Sequence, residues 1–550
     1  MDNKAKKTNL WFFTVVVSLL VLLGCGAPEK KKKQIEPYEP QSEITQDSTI
    51  SSFAEAFSYS KVAVEGYGLV AGLNGTGSAE CPPQIRTYLK KYILKNISTN
   101  DLNIDELINS SDTSVVQIYG VIPEASSKNQ YFDLLVSPLP GSQTTSLKGG
   151  WLYESDLKIA GAFGVTLKVL ASAQGPVYID TLGDDPNSDE KTGYILAGGT
   201  VIEGYKAVLA LKKPDFKIAS LIRNRVNERF GNNVAKAISE GIIEIKIPQK
   251  YNNQKKRFLQ ILSATYLTQT EETTRQRAAT FVQKLAVEPD KDQTEIAIES
   301  IGNQCLEKLT ALLELSDPEI RLRAARCILN LGSDKGINTL RQIALDKNSP
   351  YRIQAIETIV TSASRDDASA LGRSLLKDED FNIVKNAYEQ LRKLNDIAIT
   401  QKLVGRNFYL EQIPMTKQKC IMVYRNDQPR VVIFGAPIYC KENLFIESED
   451  GNITLNAPAG QNYVSIIRKH PTRPNVLVKL KSSFELGDII MTLCEESVKN
   501  SPKDVTGLNV SYGEMIALLK QMVDKGAIKD ENVQFNAGPM TKIEQLSKKY

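Results

Sequence analysis

The chain has 550 residues, 42% apolar and 24% charged, with a formal net charge of +4. So balanced a charge supplies no basic field for nucleic acid, and this length implies more than one folded unit. A single histidine and the lack of any CxxC spacing exclude HExxH and ribbon-type zinc sites and a thioredoxin-like redox pair.

Lys4, Lys6 and Lys7 precede an apolar run from Leu10 to Leu23, the layout of a secretory signal and short for a membrane span. The run ends in Leu22-Leu23-Gly24-Cys25. This resembles the lipobox of bacterial lipoproteins, which implies acylation of Cys25 and, with Gly26 rather than Asp next, attachment to outer-membrane lipid. An ordinary signal peptide with an incidental cysteine is the competing reading. Residues 25–49, rich in Pro, Glu, Gln and Ser and carrying Lys30 to Lys33, read as a disordered tether. Export permits disulfides. Cys420 and Cys440 flank an expected hairpin and are the preferred pair, whereas Cys305 and Cys327 sit at apolar helical positions and read as core.

Within Val64–Ser78, glycine recurs at Gly66, Gly68, Gly72, Gly75 and Gly77, with Leu69, Val70 and Leu73 between. Such density gives backbone freedom and close approach of one chain to another. A phosphate loop is the first alternative, because Gly66-Tyr-Gly68-Leu-Val-Ala71 fits a loose dinucleotide fingerprint. No apolar helix follows it, and no Lys precedes Ser78, so the required strand–turn–helix setting is missing. A glycine-rich turn without chemistry is the second. The whole string from Gly66 to Gly77 resembles the signature near the start of the mature bacterial flagellar P-ring protein. Ser146-Leu-Lys-Gly-Gly150, Ala173-Gln-Gly175 and Lys213-Pro-Asp-Phe216 resemble later landmarks of the same family.

Pro83 to Ile97 is expected as an amphipathic helix, and Ser114–Val121, Tyr131–Val136 and Gly164–Ala173 as strands. Short strands are expected at 200–202, 207–211 and 240–248, with helices from Phe216 to Phe230 and Lys255 to Leu267. Strands then give way to helical periodicity. Pro318-Glu-Ile-Arg, Pro350-Tyr-Arg-Ile and Phe381-Asn-Ile-Val align, with Ala324, Ala355 and Ala387 spaced by 31 and 32 residues. Helix pairs at a fixed period stack into a solenoid, because one pair cannot bury its own apolar face. The array resembles short HEAT-like repeats. Beyond residue 400 strands return at Lys419–Tyr424, Arg430–Phe434 and Leu444–Glu447, and Leu508 to Ile528 reads as helical. The strings around Gln428–Ile438, Gly451-Asn452 and Ile516–Ile528 again resemble the P-ring family.

The expected fold is therefore α+β: a P-ring-like body (50–268 and 401–550) interrupted by an all-α HEAT-like solenoid (269–400), behind a leader (1–24) and tether. His470 reads as a surface loop residue, the Asp184 and Asp185 pair as solvated, and no catalytic residue, metal ligand or cofactor stands out. The resemblance implies a structural subunit of a homo-oligomeric periplasmic ring around the flagellar rod. Its partners would be rod and outer-ring proteins and peptidoglycan, with the solenoid as a protein-binding arm. An outer-membrane scaffold outside the flagellum is the alternative, and a cell-wall enzyme a third. From the glycine density, Gly72→Val is expected to disrupt folding or assembly, which electron microscopy of the assembled variant checks.

Overall fold

Strand β1 (Ala54–Phe57) is followed by β2 (Val62–Ala71), β3 (Thr113–Ile122), β4 (Tyr131–Pro138), β5 (Trp151–Ile159), β6 (Ala171–Pro176) and β7 (Gly193–Val201). In the computed structural model, β2 to β7 close into an antiparallel barrel of order β2-β3-β4-β7-β6-β5. The structure describes residues 44–57, 61–96, 104–161, 167–182, 190–204, 206–470, 473–496, 506–540 and 543. Cys25, the leader, Lys30 to Lys33 and the Asp184 and Asp185 pair lie outside the described residues. No helix among the described residues is long and apolar enough to cross a membrane.

The barrel interior is narrow, and β2 and β3 fill it by opposing small and branched residues. Val64 lies across from Gly120, Gly66 from Ile118 and Gly68 from Val116. The inward side chains Val64, Val70, Val116, Ile118, Leu134, Leu152, Leu157 and Ile195 form one buried cluster. Outside, the helix Pro83–Asn96 lays Leu89 and Ile93 on Leu69, Val115 and Leu139, as its periodicity predicts.

Strands β8 (Ala207–Leu211), β9 (Ala235–Ala237) and β10 (Ile242–Ile245) form a second sheet with β1, in the order β1-β8-β10-β9. The helices Phe216–Phe230 and Lys255–Ala264 cover it through Ile222, Val226, Phe258 and Leu262. Asp215 caps the first of these, accepting from the backbone N–H of Lys217 and Ile218.

Eight helices follow, from Glu271–Val287 to Phe381–Lys393. Ala324, Ala355 and Ala387 are fully buried in the core that these helices share. Thr270, Asp290, Asp317, Ser364 and Asp380 accept N-terminal backbone N–H groups and so start five of the eight helices. Helices Lys291–Ile301 and Leu306–Leu312 precede the three aligned segments and went unread in the sequence.

The remaining strands are β11 (Thr400–Val404), β12 (Phe408–Ile413), β13 (Cys420–Tyr424), β14 (Arg430–Phe434), β15 (Leu444–Glu447), β16 (Ile453–Ala457), β17 (Val464–His470), β18 (Arg473–Ser482) and β19 (Gln534–Ala537). They make a five-stranded sheet, β11-β12-β14-β13-β19, and a four-stranded one, β15-β16-β17-β18. Helices Leu486–Cys494 and Tyr512–Asp524 share a core with both.

The expected Cys420–Cys440 disulfide is not formed: both thiols are free. Cys420 points into the core that the sheet shares with the solenoid, and Cys440 into the core with helices Leu486–Cys494 and Tyr512–Asp524. Cys420 stands on β13, whereas Cys440 lies beyond the end of β14 in an isolated bridge with Ile528, so the two thiols belong to separate cores and do not face one another.

Two outcomes follow from these placements. Asp215→Ala lowers stability by about 1 kcal/mol, read as a shift in the urea midpoint. Burial pushes the Cys420 thiol up to about 11 and the Cys440 thiol up to about 12. Their stabilising contribution is complete below the ordinary thiol value of 9.0 and is lost as pH rises through these folded values, so the urea midpoint declines above pH 9. Cys420→Ala with Cys440→Ala flattens that part of the decline.

Candidate functional site

Two turns meet at one mouth of the barrel. In the first, Asn74 and Gly75 take φ of 53° and 93°, and the Thr76 N–H donates to the Leu73 carbonyl at 3.1 Å. Two positive φ values in succession suit Asn-Gly. In the second, Gly149 has φ 75° and the Gly150 N–H donates to Leu147 at 3.1 Å. The Thr76 hydroxyl joins them by donating to the Ser146 carbonyl at 2.8 Å.

The five singled-out glycines divide by role. A Cβ on Gly66 would lie 2.4 Å from the Asp156 carbonyl, and one on Gly77 would lie 2.2 Å from that of Thr113. A Cβ on Gly68 would meet Ser155, Leu152 and Ile118 within 2.9 Å. These three serve packing within the chain. A Cβ on Gly75 would meet nothing within 4 Å and one on Gly72 only the Gly149 carbonyl at 3.8 Å, but their φ values are 93° and 81°.

The mouth faces the C-terminal part across a cleft of about 1110 Å³. Lys148 reaches over it, 3.7 Å from Glu514 and 3.9 Å from Asp450. Glu514 also closes a capping box with Ser511 at the start of helix Tyr512–Asp524 and lies 3.5 Å from Arg468. His470 ends β17 on the cleft wall rather than standing in a loop. The family-like strings around Gly72–Gly77, Ser146–Gly150 and Gly451-Asn452 thus converge on one cleft, together with the start of the closing helix.

Beside the cleft lies a direct joint. The Tyr178 ring sits 5.8 Å from that of Tyr512, which sits 5.0 Å from Phe408. The Tyr512 hydroxyl lies 2.9 Å from the carbonyls of Tyr424 and Arg430. Arg425 holds both Asp180 oxygens at 3.0 Å, and Asp133 accepts from the backbone N–H of Ala197 and of Asp427. Burial, then the Asp180 charge, pushes the Tyr178 phenol far above its usual range, so it stays a neutral donor to Asp180.

Among the described residues one cluster, Glu295, Glu299 and Cys327, has the spacing to ligate a metal. Its carboxylates are already engaged. Glu295 receives Arg323 at 2.9 Å, Arg326 at 2.5 Å and Arg257 at 2.8 Å. Glu299 receives Arg257 at 2.6 Å and Asn330 at 2.8 Å. Burial drives the Cys327 thiol well above its ordinary value, so it is held protonated. Three guanidinium groups satisfy the two acids and repel a cation, which makes the cluster an ion network of the fold. Arg352 likewise pairs inside the solenoid, with Asp378 and the Ala344 carbonyl.

The flagellar P-ring protein family matches residues 50–282, the stretch that holds the barrel and the second sheet. HEAT repeats match residues 269–360 and 306–392. The chain is 29% identical over 214 residues to the flagellar P-ring protein of Thermotoga maritima, covering 36% of this chain and 60% of that one. It is 27% identical over 216 residues to that of Fervidobacterium nodosum, with the same coverage. It is 29% identical over 204 residues to that of Campylobacter jejuni, covering 34% and 54%. The chain thus spans about 60% or less of the length of these curated relatives. The resemblances to the P-ring family and to HEAT repeats are borne out over these residues.

Glu295→Gln removes the buried carboxylate shared by Arg257, Arg323 and Arg326 and costs about 3–5 kcal/mol, read from urea denaturation. Gly77→Ala forces strand β3 away from its neighbour and destabilises more than Gly75→Ala, whose cost is backbone strain of about 1–3 kcal/mol.

Proposed function

We propose that this chain is a structural subunit of a closed, P-ring-like ring around the flagellar rod, tied to outer-membrane lipid through an acylated Cys25. The family match over residues 50–282 carries this reading. The convergence of separate family-like strings on one cleft supports its extension to the C-terminal part, residues 401–550. Rings form when heterologous contacts close under rotation, and the work they do is mechanical, so no catalytic residue, cofactor or metal is assigned. Gly66, Gly68 and Gly77 act within the subunit, and Gly72 and Gly75 shape the turns that a neighbour or the rod could meet. Peptidoglycan and outer-ring proteins are the further proposed partners, with the solvent-facing side of the solenoid offered to other motor components.

The test is mass spectrometry and electron microscopy of purified hook–basal bodies from the source cell. The protein is expected in a periplasmic ring with added peripheral density at the solenoid. Intact basal bodies lacking it, with the protein in the outer-membrane fraction, would replace this reading by a scaffold outside the flagellum. A Cys25→Ala variant is expected to lose its lipid and leave the membrane fraction.

A further inference from the structure

Strands β13 and β14 have no solvent face: all ten of their residues are buried. Ile421, Val423, Val431 and Ile433 point to the core with helices Leu486–Cys494 and Tyr512–Asp524. Cys420, Met422, Tyr424, Val432 and Phe434 point the other way, into the core of the helical repeats. The last repeat helix, Phe381–Lys393, supplies the cover. Phe381 and Tyr388 meet the Phe434 ring edge-on at 5.2 and 5.3 Å.

A charge placed inside this contact makes it specific. Glu411, on β12, is fully buried. It receives the Tyr388 hydroxyl at 2.6 Å and the Arg392 guanidinium at 2.7 Å, both from the repeat helix, and Gln401 at 2.9 Å. Arg430 in turn donates to the Tyr388 oxygen at 3.0 Å. Without the repeats the sheet would present an apolar face with an uncompensated carboxylate in its midst, and a buried charge deprived of its partner is costly. The other end of the array is fastened in the same manner. Arg257, from the N-terminal helix Lys255–Ala264, grips Glu295 and Glu299, and Arg229 donates to the Glu299 carbonyl at 2.9 Å. Gln254 reaches Ser362, farther along the array, at 3.1 Å.

We infer that the principal partner of the helical array is its own chain: the array is an internal clamp that completes the C-terminal sheet and fastens it to the N-terminal sheet. The interface on helix Phe381–Lys393 is therefore occupied in the folded subunit, and any outside partner meets other faces. This inference goes beyond the ring-subunit reading and does not depend on it.

Hydrogen exchange on the full-length protein tests the clamp. In Tyr388→Ala, exchange is expected to accelerate roughly tenfold or more in β12, β13 and β14 as well as in the repeat helix, since their opening is one event. Tyr388→Phe keeps the ring and removes the hydroxyl shared by Glu411 and Arg430. It gives the same pattern at smaller amplitude and covers the case in which the alanine variant does not fold. Lys347→Ala, which removes an exposed bridge to Glu379, leaves the sheet unchanged. Acceleration confined to the repeat helices, with β13 and β14 as protected as in wild type, would overturn the inference.

Discussion

The narrowness of the six-stranded barrel is the constraint from which much of the rest follows. Its interior takes one layer of branched side chains only if glycine stands opposite them, as Gly66 stands to Ile118 and Gly68 to Val116. The same lack of a side chain lets β5 cross β2 where their register shifts between Glu65 and Val70. The glycines continue into the two mouth turns, and the mouth is where the C-terminal part meets the barrel. One compositional device thus sets the barrel packing, the turn geometry and the position of the cleft.

That device also explains where sequence reading failed. Glycine is ordinarily taken as punctuation, so Val62–Ala71 did not read as a strand and Gly193–Val201 only at its end, in the short strand expected at 200–202, although both are barrel staves. In β5 the pairing with β6 shifts register between Leu152 and Ser155, which breaks the alternation by which Trp151–Ile159 would be found. By contrast, the repeat helices were legible because the buried alanines Ala324, Ala355 and Ala387 recur at a nearly fixed spacing. The helices Lys291–Ile301 and Leu306–Leu312 do not continue the alanine spacing of the three aligned segments and were not legible. The glycine string was legible as a family likeness, but its division into packed and open positions required the neighbouring strands. Nor could the sequence place Cys420 and Cys440: proximity in the chain near a hairpin says nothing about which core each thiol enters.

The two charge networks show how polar groups enter buried places without serving chemistry. Glu295 with Arg257, Arg323 and Arg326, and Glu411 with Arg392 and Tyr388, each sit where two structural layers join. Buried ion pairs add little net stability against apolar packing, yet they discriminate strongly against wrong registers. In a solenoid, where one repeat could dock in place of the next, such discrimination fixes the docking. A resident metal would need these same carboxylates freed from their guanidinium partners.

The joint between Asp180 and Arg425 spans 245 residues of chain. At about 5–20 residues per second of synthesis, its first half precedes its second by roughly 12–50 s. Contacts of such sequence separation also close slowly because of the loop entropy they must overcome. The Tyr178 surface of the barrel therefore stays uncovered until the solenoid and the C-terminal helix Tyr512–Asp524 have emerged. During that interval the closed barrel lacks the cover over its Tyr178 face. The chain's order of manufacture thus leaves the Tyr178 face as a surface that a stalled chain would offer to a substitute partner.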